Sequence, residues 1–385
     1  MPSKMQFNPL DPEVVSDPYP SYAALRANAP VFWHERMQSW LLTRYQDCRD
    51  VLQDHEVFAR DWRRVGERIP DEALSVQLLD PPDILPLRRV FTNAFKAQDL
   101  EGMCRRGRAR IAEAFDRQTR RSAFELMSQV AAPVAESITC ELFGVDRPPP
   151  GAFAEIAYGI ALKMDAGLVP EQAAPGAAAA AKLVALVDSW FAAPRDPGMV
   201  ADVARGARAI EASDTMVHRT LAAMCNAAYS TIYASIGNAA VVLLQHPEIL
   251  PRLADPALLG TGVDELIRFD SPAQATSRVA TRTTKLGDTT VERGQVVVTL
   301  FGAANRDPAK FASPDELVLD RSPNPHLGFG WGSHSCLGAE LARLVLREFV
   351  SCLRAWPARL ELAGPLQRRR TATLRWLDSL PVTLS

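Results

Sequence analysis

The chain has 385 residues, a formal charge of −2 and 23% charged residues. It is long enough to bury a sizeable core, and too evenly charged for its net field to draw nucleic acid or an anionic membrane. Six scattered cysteines (Cys48, Cys104, Cys140, Cys225, Cys336, Cys352) exclude a dense disulfide scaffold and fit a reducing cytosol. The opening MPSKMQFNPLDPEVVSDPYPSY is polar and proline-rich, with no apolar signal core and no spanning segment, so a cytoplasmic location is expected.

In chain order, SYAALRANAP predicts a short helix, the alternating run from Val31 to Tyr45 a hairpin, and QDCRDVLQDHEVFA a second helix. Residues 60–79 mix charged and apolar residues and read as an irregular loop with a short helix. From Asp80 to Cys140 the pattern is mostly helical. The Ala/Gly-rich piece from Pro170 to Lys182 reads as a helix–helix connection, and APRDPGM around Pro194 marks a break. The longest helical candidate, about Thr215 to Gln245, is apolar nearly all round, so it is expected to be buried on every side and to cross the centre of the domain. HPEIL starts another helix, residues 278–300 predict a small antiparallel sheet, and LPVTL a last strand. There is no internal repeat and no long linker. One domain over residues 1–385 is expected, mainly α with a minor β portion near both ends.

One run near the C-terminus carries the most chemical information: Phe329-Gly330-Trp331-Gly332-Ser333-His334-Ser335-Cys336-Leu337-Gly338-Ala339-Glu340-Leu341-Ala342-Arg343. Gly328, Gly330 and Gly332 permit positive φ and a close approach of backbone to a large flat partner. Beyond Cys336, Leu341, Leu344, Val345, Phe349 and Cys352 form one helical stripe, so a helix N-terminus points at the sulfur and favours a thiolate. Such a thiolate is what a haem iron needs as an axial ligand. Taken alone, a cysteine at a helix start is more often a small core residue. The glycines do not make the dinucleotide pattern G-x-G-x-x-G, and His334 with Cys336 lacks a second Cys/His pair for zinc. The whole run, however, resembles the cysteine-ligand signature of the cytochrome P450 family. The resemblance extends from DPYPSYAALR to LPVTL and is to soluble bacterial-type members.

That resemblance implies the P450 fold, haem b as cofactor and Cys336 as its iron ligand, with Phe329, Gly330 and Gly338 in the loop against the haem. It matches Arg88, Arg278 and His334 to propionate-binding positions. Glu265 and Arg268, by spacing only an i,i+3 helix pair, match the family's buried Glu-x-x-Arg, and Arg321 its third member, a structural brace. On the long helix Ala223, Ala227 and Thr231 share one face at i, i+4 and i+8, leaving room for a flat cofactor. A helical threonine commonly bonds its own i−4 carbonyl. The resemblance, anchored on GNAAVVLLQHPE, puts Thr231 on the oxygen-activating threonine.

Two positions depart from the pattern. Ala227-Ala228-Tyr229-Ser230-Thr231 stands where the family usually has Ala-Gly-x-Asp/Glu-Thr, so Ser230 replaces the acid. A serine cannot supply protons near neutral pH, and a water chain, a substrate group or another side chain must do so, Tyr229 being the nearest titratable one. Ile84 stands where a histidine commonly precedes the propionate arginine, which leaves one propionate to Arg89, Trp62 or water.

No flavin or nicotinamide motif is present, so a separate ferredoxin and ferredoxin reductase are expected as electron donors. Arg89, the cluster Arg105, Arg106, Arg108 and Arg110, and Arg343 and Arg347 would make the thiolate side basic for an acidic ferredoxin, the cluster reading equally as a plain solvated helix face. The implied activity uses O2 and two electrons to oxidise a small or medium apolar molecule, with natural-product metabolism as the favoured setting. Trp62, Ala223, Ala227 and loop 60–79 are expected to shape the pocket. Competing readings are ring closure, coupling, desaturation or peroxide-driven oxidation without ordinary oxygen insertion, and a haem-binding sensor. No nucleic-acid or membrane partner is implied.

Overall fold

Apolar residues at helical spacing dominate the chain, and the computed structural model, which describes residues 6–118, 123–356 and 359–384, is accordingly mostly α. The central helix Asp214–Gln245 opens on Ser213, whose hydroxyl accepts the Met216 N–H at 3.2 Å and caps the first turn. Its 32 residues make a rod of about 48 Å. The second half is buried almost all round, from Tyr229 through Leu243, whereas the first half buries only a stripe that includes Val217, Leu221 and Cys225. Burial on every side therefore holds for half the helix. Among the described residues it alone is long and apolar enough to cross a bilayer, but its apolar surface is mostly spent on the core. It packs against helices Ala132–Phe143, Ala152–Met164, Ala173–Ala192 and Ala339–Ala355.

The segment expected to be a helix–helix connection, Pro170 to Lys182, instead opens the 20-residue helix Ala173–Ala192. Its alanines are good helix formers. Its Gly176 lies so close to helix Ala152–Met164 that a Cβ would come 2.3 Å from that of Lys163. The glycine that looks like a connector is there for close helix packing.

The hairpin Val31–His34/Ser39–Leu42 forms as expected. It does not stand apart from the 275–300 region: Ser39–Leu42 pairs in parallel with Val296–Leu300, which pairs antiparallel with Ala275–Ala280, which pairs with Phe58–Ala59. The result is a five-stranded mixed sheet. Only Thr284–Leu286 and Thr289–Val291 make a separate hairpin. The last strand, Pro381–Leu384, joins Phe124–Glu125 and Leu360–Leu362. Loop 60–79 carries two short 3-10 turns, Trp62–Val65 and Asp71–Ala73, and the Val76 N–H donates to Thr220 Oγ1 at 3.1 Å, seating the loop on the central helix.

Candidate functional site

The loop Leu327–Cys336 is closed on itself. Cys336 N–H donates to Phe329 O at 2.8 Å, Gly330 N–H to Leu327 O at 2.8 Å, and Ser335 N–H to Gly332 O at 3.0 Å. Gly332 has φ +73°, and a Cβ there would sit 2.3 Å from the Leu52 carbonyl oxygen, so only glycine lets the loop pass. Phe329 is fixed by Arg343, whose guanidinium lies 4.6 Å over the ring while its Nε donates to Asp264 at 2.6 Å.

Behind the loop lies the brace. Glu265 and Arg268 are fully buried and joined by two hydrogen bonds of 2.8 Å, Nε to Oε2 and Nη2 to Oε1. Arg321 Nε adds 3.1 and 3.2 Å bonds to the same carboxylate. Asn324 and the Val318 N–H also donate to it, at 3.1 and 3.0 Å. Burial alone would push the Glu265 pKa up; the bonds and charges from Arg268 and Arg321 hold it below its usual value. Arg268 Nη1 also donates to Asn305 O at 2.8 Å, and the Asn305 side chain accepts the Leu327 N–H at 2.7 Å. Asn305 thus ties the brace to the start of the cysteine loop. Sequence reading missed it, because an asparagine far from both partners carries no local signal.

In front of the loop opens a cavity of about 1050 Å³. Cys336, Phe329, Gly330, Gly338 and His334 line it, and so do Ala223, Ala227, Ser230 and Thr231 of the central helix. Arg88, Arg278 and Trp62 complete the set expected from sequence. Cys336 is the one free cysteine with open surface, and that surface faces the cavity. The thiolate expectation is corrected in one respect. The Gly338 N–H and the charges of Arg88 and Arg343 do lower the thiol pKa, but burial outweighs them and the net direction is up. A metal cation on the sulfur would favour the thiolate.

The cations around the loop behave as an anion site. Arg278 is buried without an ion pair, bonding only Ser277 O at 2.8 Å and Thr276 Oγ1 at 3.4 Å, and burial pushes its pKa down to about 9. Arg88 Nη2 donates to Ser335 O at 2.6 Å. His334 Nε2 lies 3.4 Å from Asp80, and burial, with the charges of Arg278 and Arg60, takes its pKa down despite that contact. Buried Arg278 and half-buried Arg88, which have no ion-pair partner among the described residues, suit the carboxylates of a haem.

Ile84 is fully buried in the core and outside the cavity, and Arg89 is exposed and outside it too. A further cation that lines it is Arg60, which the sequence reading passed over within its loop. Its Nη1 donates to Thr276 Oγ1 at 2.9 Å and its N–H to Asp80 at 2.9 Å.

On the distal wall both hydroxyls turn back into the helix: Thr231 Oγ1 donates to Ala227 O and Ser230 Oγ to Asn226 O, each at 2.7 Å. Tyr229 is no proton source for this wall. It is buried against Phe153 and Tyr233, does not line the cavity, and burial raises its pKa. The basic cluster is largely neutralised, with Arg105 paired to Glu101, Arg106 to Glu141 and Arg108 to Glu348.

A cysteine in a glycine loop, a buried brace behind it, and a hydroxyl-bearing central helix across a large cavity define a class of haem-thiolate protein. Known proteins agree. A family model described as cytochrome P450 matches residues 257–353. The chain is 29% identical over 390 residues to the biotin biosynthesis cytochrome P450 of Bacillus subtilis (strain 168), covering 96% of this chain and 97% of the relative. It is 31% identical over 397 residues to nocardicin C N-oxygenase of Nocardia uniformis subsp. tsuyamanensis, covering 97% and 98%. The crystal structure of CalO2 matches with a TM-score of 0.87 at 30% identity over 98% of each chain. The chain belongs to the cytochrome P450 family, and is an oxidoreductase of the haem-thiolate kind.

Proposed function

We propose that this enzyme is a monooxygenase of natural-product metabolism, using haem b and acting in the cytoplasm on a small or medium, largely apolar molecule. The observation that carries the reading is that one cavity is lined by both the Cys336 loop and the Ser230–Thr231 pair. When bound, the haem would supply oxygen activation, pushed by the thiolate. The chain's own residues do the rest. Cys336 would ligate the iron, Arg88, Arg278 and His334 would hold the propionates, and Phe329, Gly330, Gly338 and Ala227 would lie against the ring. Glu265, Arg268 and Arg321 keep the loop rigid. Thr231 would offer its hydroxyl to the reaction by releasing its bond to the Ala227 carbonyl. Trp62, Ala223 and Ala227 shape the substrate space. The balance is one O2, two electrons and two protons per substrate C–H, giving an alcohol and water. The electrons come from a ferredoxin and its reductase.

A second reading has an observation of its own. Asp165 is the only carboxylate among the described cavity-lining residues, and it lies on another segment, bound to Ala372 and Thr373. No acid stands beside Thr231 to pass protons, which favours coupling or ring closure, where the substrate itself supplies them. A reduced-CO absorption band near the thiolate position tests the haem-thiolate reading, and its absence in fresh protein would sink it. Turnover under isotopic O2 then decides between the two: label in the product is expected for insertion, unlabelled product for coupling.

A further inference from the structure

Two arginines from distant parts of the chain converge on the same pair of oxygens. Arg60 opens loop 60–79, and its Nη1 donates to Thr276 Oγ1 at 2.9 Å and reaches Ser277 O at 3.5 Å. Arg278, on the strand Ala275–Ala280, sends its own Nη1 to the same two atoms, at 3.4 and 2.8 Å. The shared acceptors set the two guanidiniums side by side. Arg278 is buried, Arg60 is half-buried, and both line the cavity. Like charges so placed repel each other. The repulsion shows on Arg278, whose pKa is held down by burial first and by the charge of Arg60 second.

No protein carboxylate closes this pair. Asp80 is the only one among the described residues whose charge acts on both arginines, and it forms an ion pair with neither guanidinium. Its oxygens are committed elsewhere: to the backbone N–H groups of Arg60 and Asp61, each at 2.9 Å, to His334 Nε2 at 3.4 Å and to Arg64 Nη1 at 3.8 Å. Donors remain on the pair. Arg60 Nε is taken by Gln77 O at 2.8 Å, but Arg60 Nη2 and the Nε and Nη2 of Arg278 bond nothing among the described residues. The orphaned Nε atoms of Arg49 and Arg219 are sealed inside protein, whereas these three nitrogens keep open surface. Two adjacent cations on a cavity wall, with accessible donors and no counter-ion, form a site for an anion, and planar guanidinium forks match a carboxylate.

We propose that Arg60 is a cofactor-binding residue: Arg60 and Arg278 together hold one carboxylate of the haem, with Thr276 setting the spacing of the two guanidiniums. This assignment rests on the haem-thiolate reading above and adds a residue to it. It also links the cofactor to the substrate space. The Arg60 N–H bonds Asp80 and its Nε bonds Gln77, so this one residue ties the start of loop 60–79 to its far end. Trp62 and Val76 of the same loop line the cavity, and Val76 is seated on Thr220 of the central helix. A carboxylate on Arg60 therefore pins the loop that walls the substrate space.

The test uses holoenzyme whose reduced-CO band has been recorded. Two quantities are read on each variant: the rate of haem transfer to an excess of an acceptor protein, and the propionate bending bands in resonance Raman, which report hydrogen bonding to the haem carboxylates. Arg60→Gln is expected to shift a bending band and to speed transfer a few-fold, with the CO band unchanged. Arg60→Lys keeps the charge without the fork and should fall between wild type and Arg60→Gln. In an Arg278→Gln background, Arg60→Gln is expected to change the transfer rate by a different factor than in wild type, because the two residues serve one carboxylate. Unmoved bending bands, unchanged transfer, or factors that simply multiply in the double variant overturn the shared site. If Arg60→Gln retains too little haem to measure, the bending band of Arg60→Lys decides. The CO band separates the two failures: unmoved bending bands with a normal CO band overturn the Arg60 assignment alone, and an absent CO band in wild type overturns the haem-thiolate reading with it.

Discussion

The two walls of the cavity are bonded differently. On the cysteine side the bonds run between distant segments: the Glu265 carboxylate accepts from two arginines, Asn324 and a backbone N–H, and Asn305 carries that network to Leu327. On the central-helix side the hydroxyls of Ser230 and Thr231 bond only their own helix, and Arg219 and Asn226 hold orphaned atoms. Bonds between segments hold the cysteine loop in one geometry, whereas hydroxyls bonded within one helix can be released without moving another segment.

The sharpest break in that contrast is at the ligand itself. Cys336→Ala is expected to abolish the reduced-CO thiolate band entirely, and a variant that keeps the band refutes the assignment. Next comes the brace. Glu265→Gln leaves Arg268 buried without its counter-charge and is expected to cost about 3–5 kcal/mol, read from the urea midpoint, with faster transfer of haem to an acceptor protein. Because the folded Glu265 pKa lies below its ordinary value, its contribution is present at neutral pH and lost as pH falls through the folded pKa. The stability gap between wild type and Glu265→Gln should therefore narrow on acidification; a gap that widens contradicts the carboxylate's role.

The distal wall should respond in catalysis and not in stability. Ser230→Asp is expected to raise the share of reducing equivalents appearing in product by about tenfold if insertion is the reaction. An unchanged coupling ratio with an intact CO band shows that protons already arrive by another route. The smallest effect belongs to Arg60, a cation that loop 60–79 brings to the cavity. Arg60→Gln should speed haem loss only a few-fold, since Arg88, Arg278 and His334 remain; no change in haem loss would remove Arg60 from the cofactor site.

The cysteine loop is legible in the amino-acid sequence because its chemistry is contiguous: glycines, ligand and helix start lie within sixteen residues of one another. The brace is legible only through resemblance, since an i,i+3 Glu–Arg pair looks like a surface feature until its burial is known. Tyr229 illustrates the opposite failure. Its neighbourhood to Ser230 in sequence says nothing about direction, because adjacent helical residues face about 100° apart, and it packs into the core.

The amino-acid sequence by itself was enough for the family, through its resemblance, and for the central helix, through its apolar run; Cys336 as haem ligand and the departures at Ser230 and Ile84 are what that resemblance implies. Tertiary structure decided the rest. Parallel pairing of Ser39–Leu42 with Val296–Leu300, the link through Asn305, and the gathering of Arg60, Arg219 and Asn226 on one cavity all join residues far apart in the chain. Burial and charge balance are properties of that assembled wall. No stretch of sequence holds them.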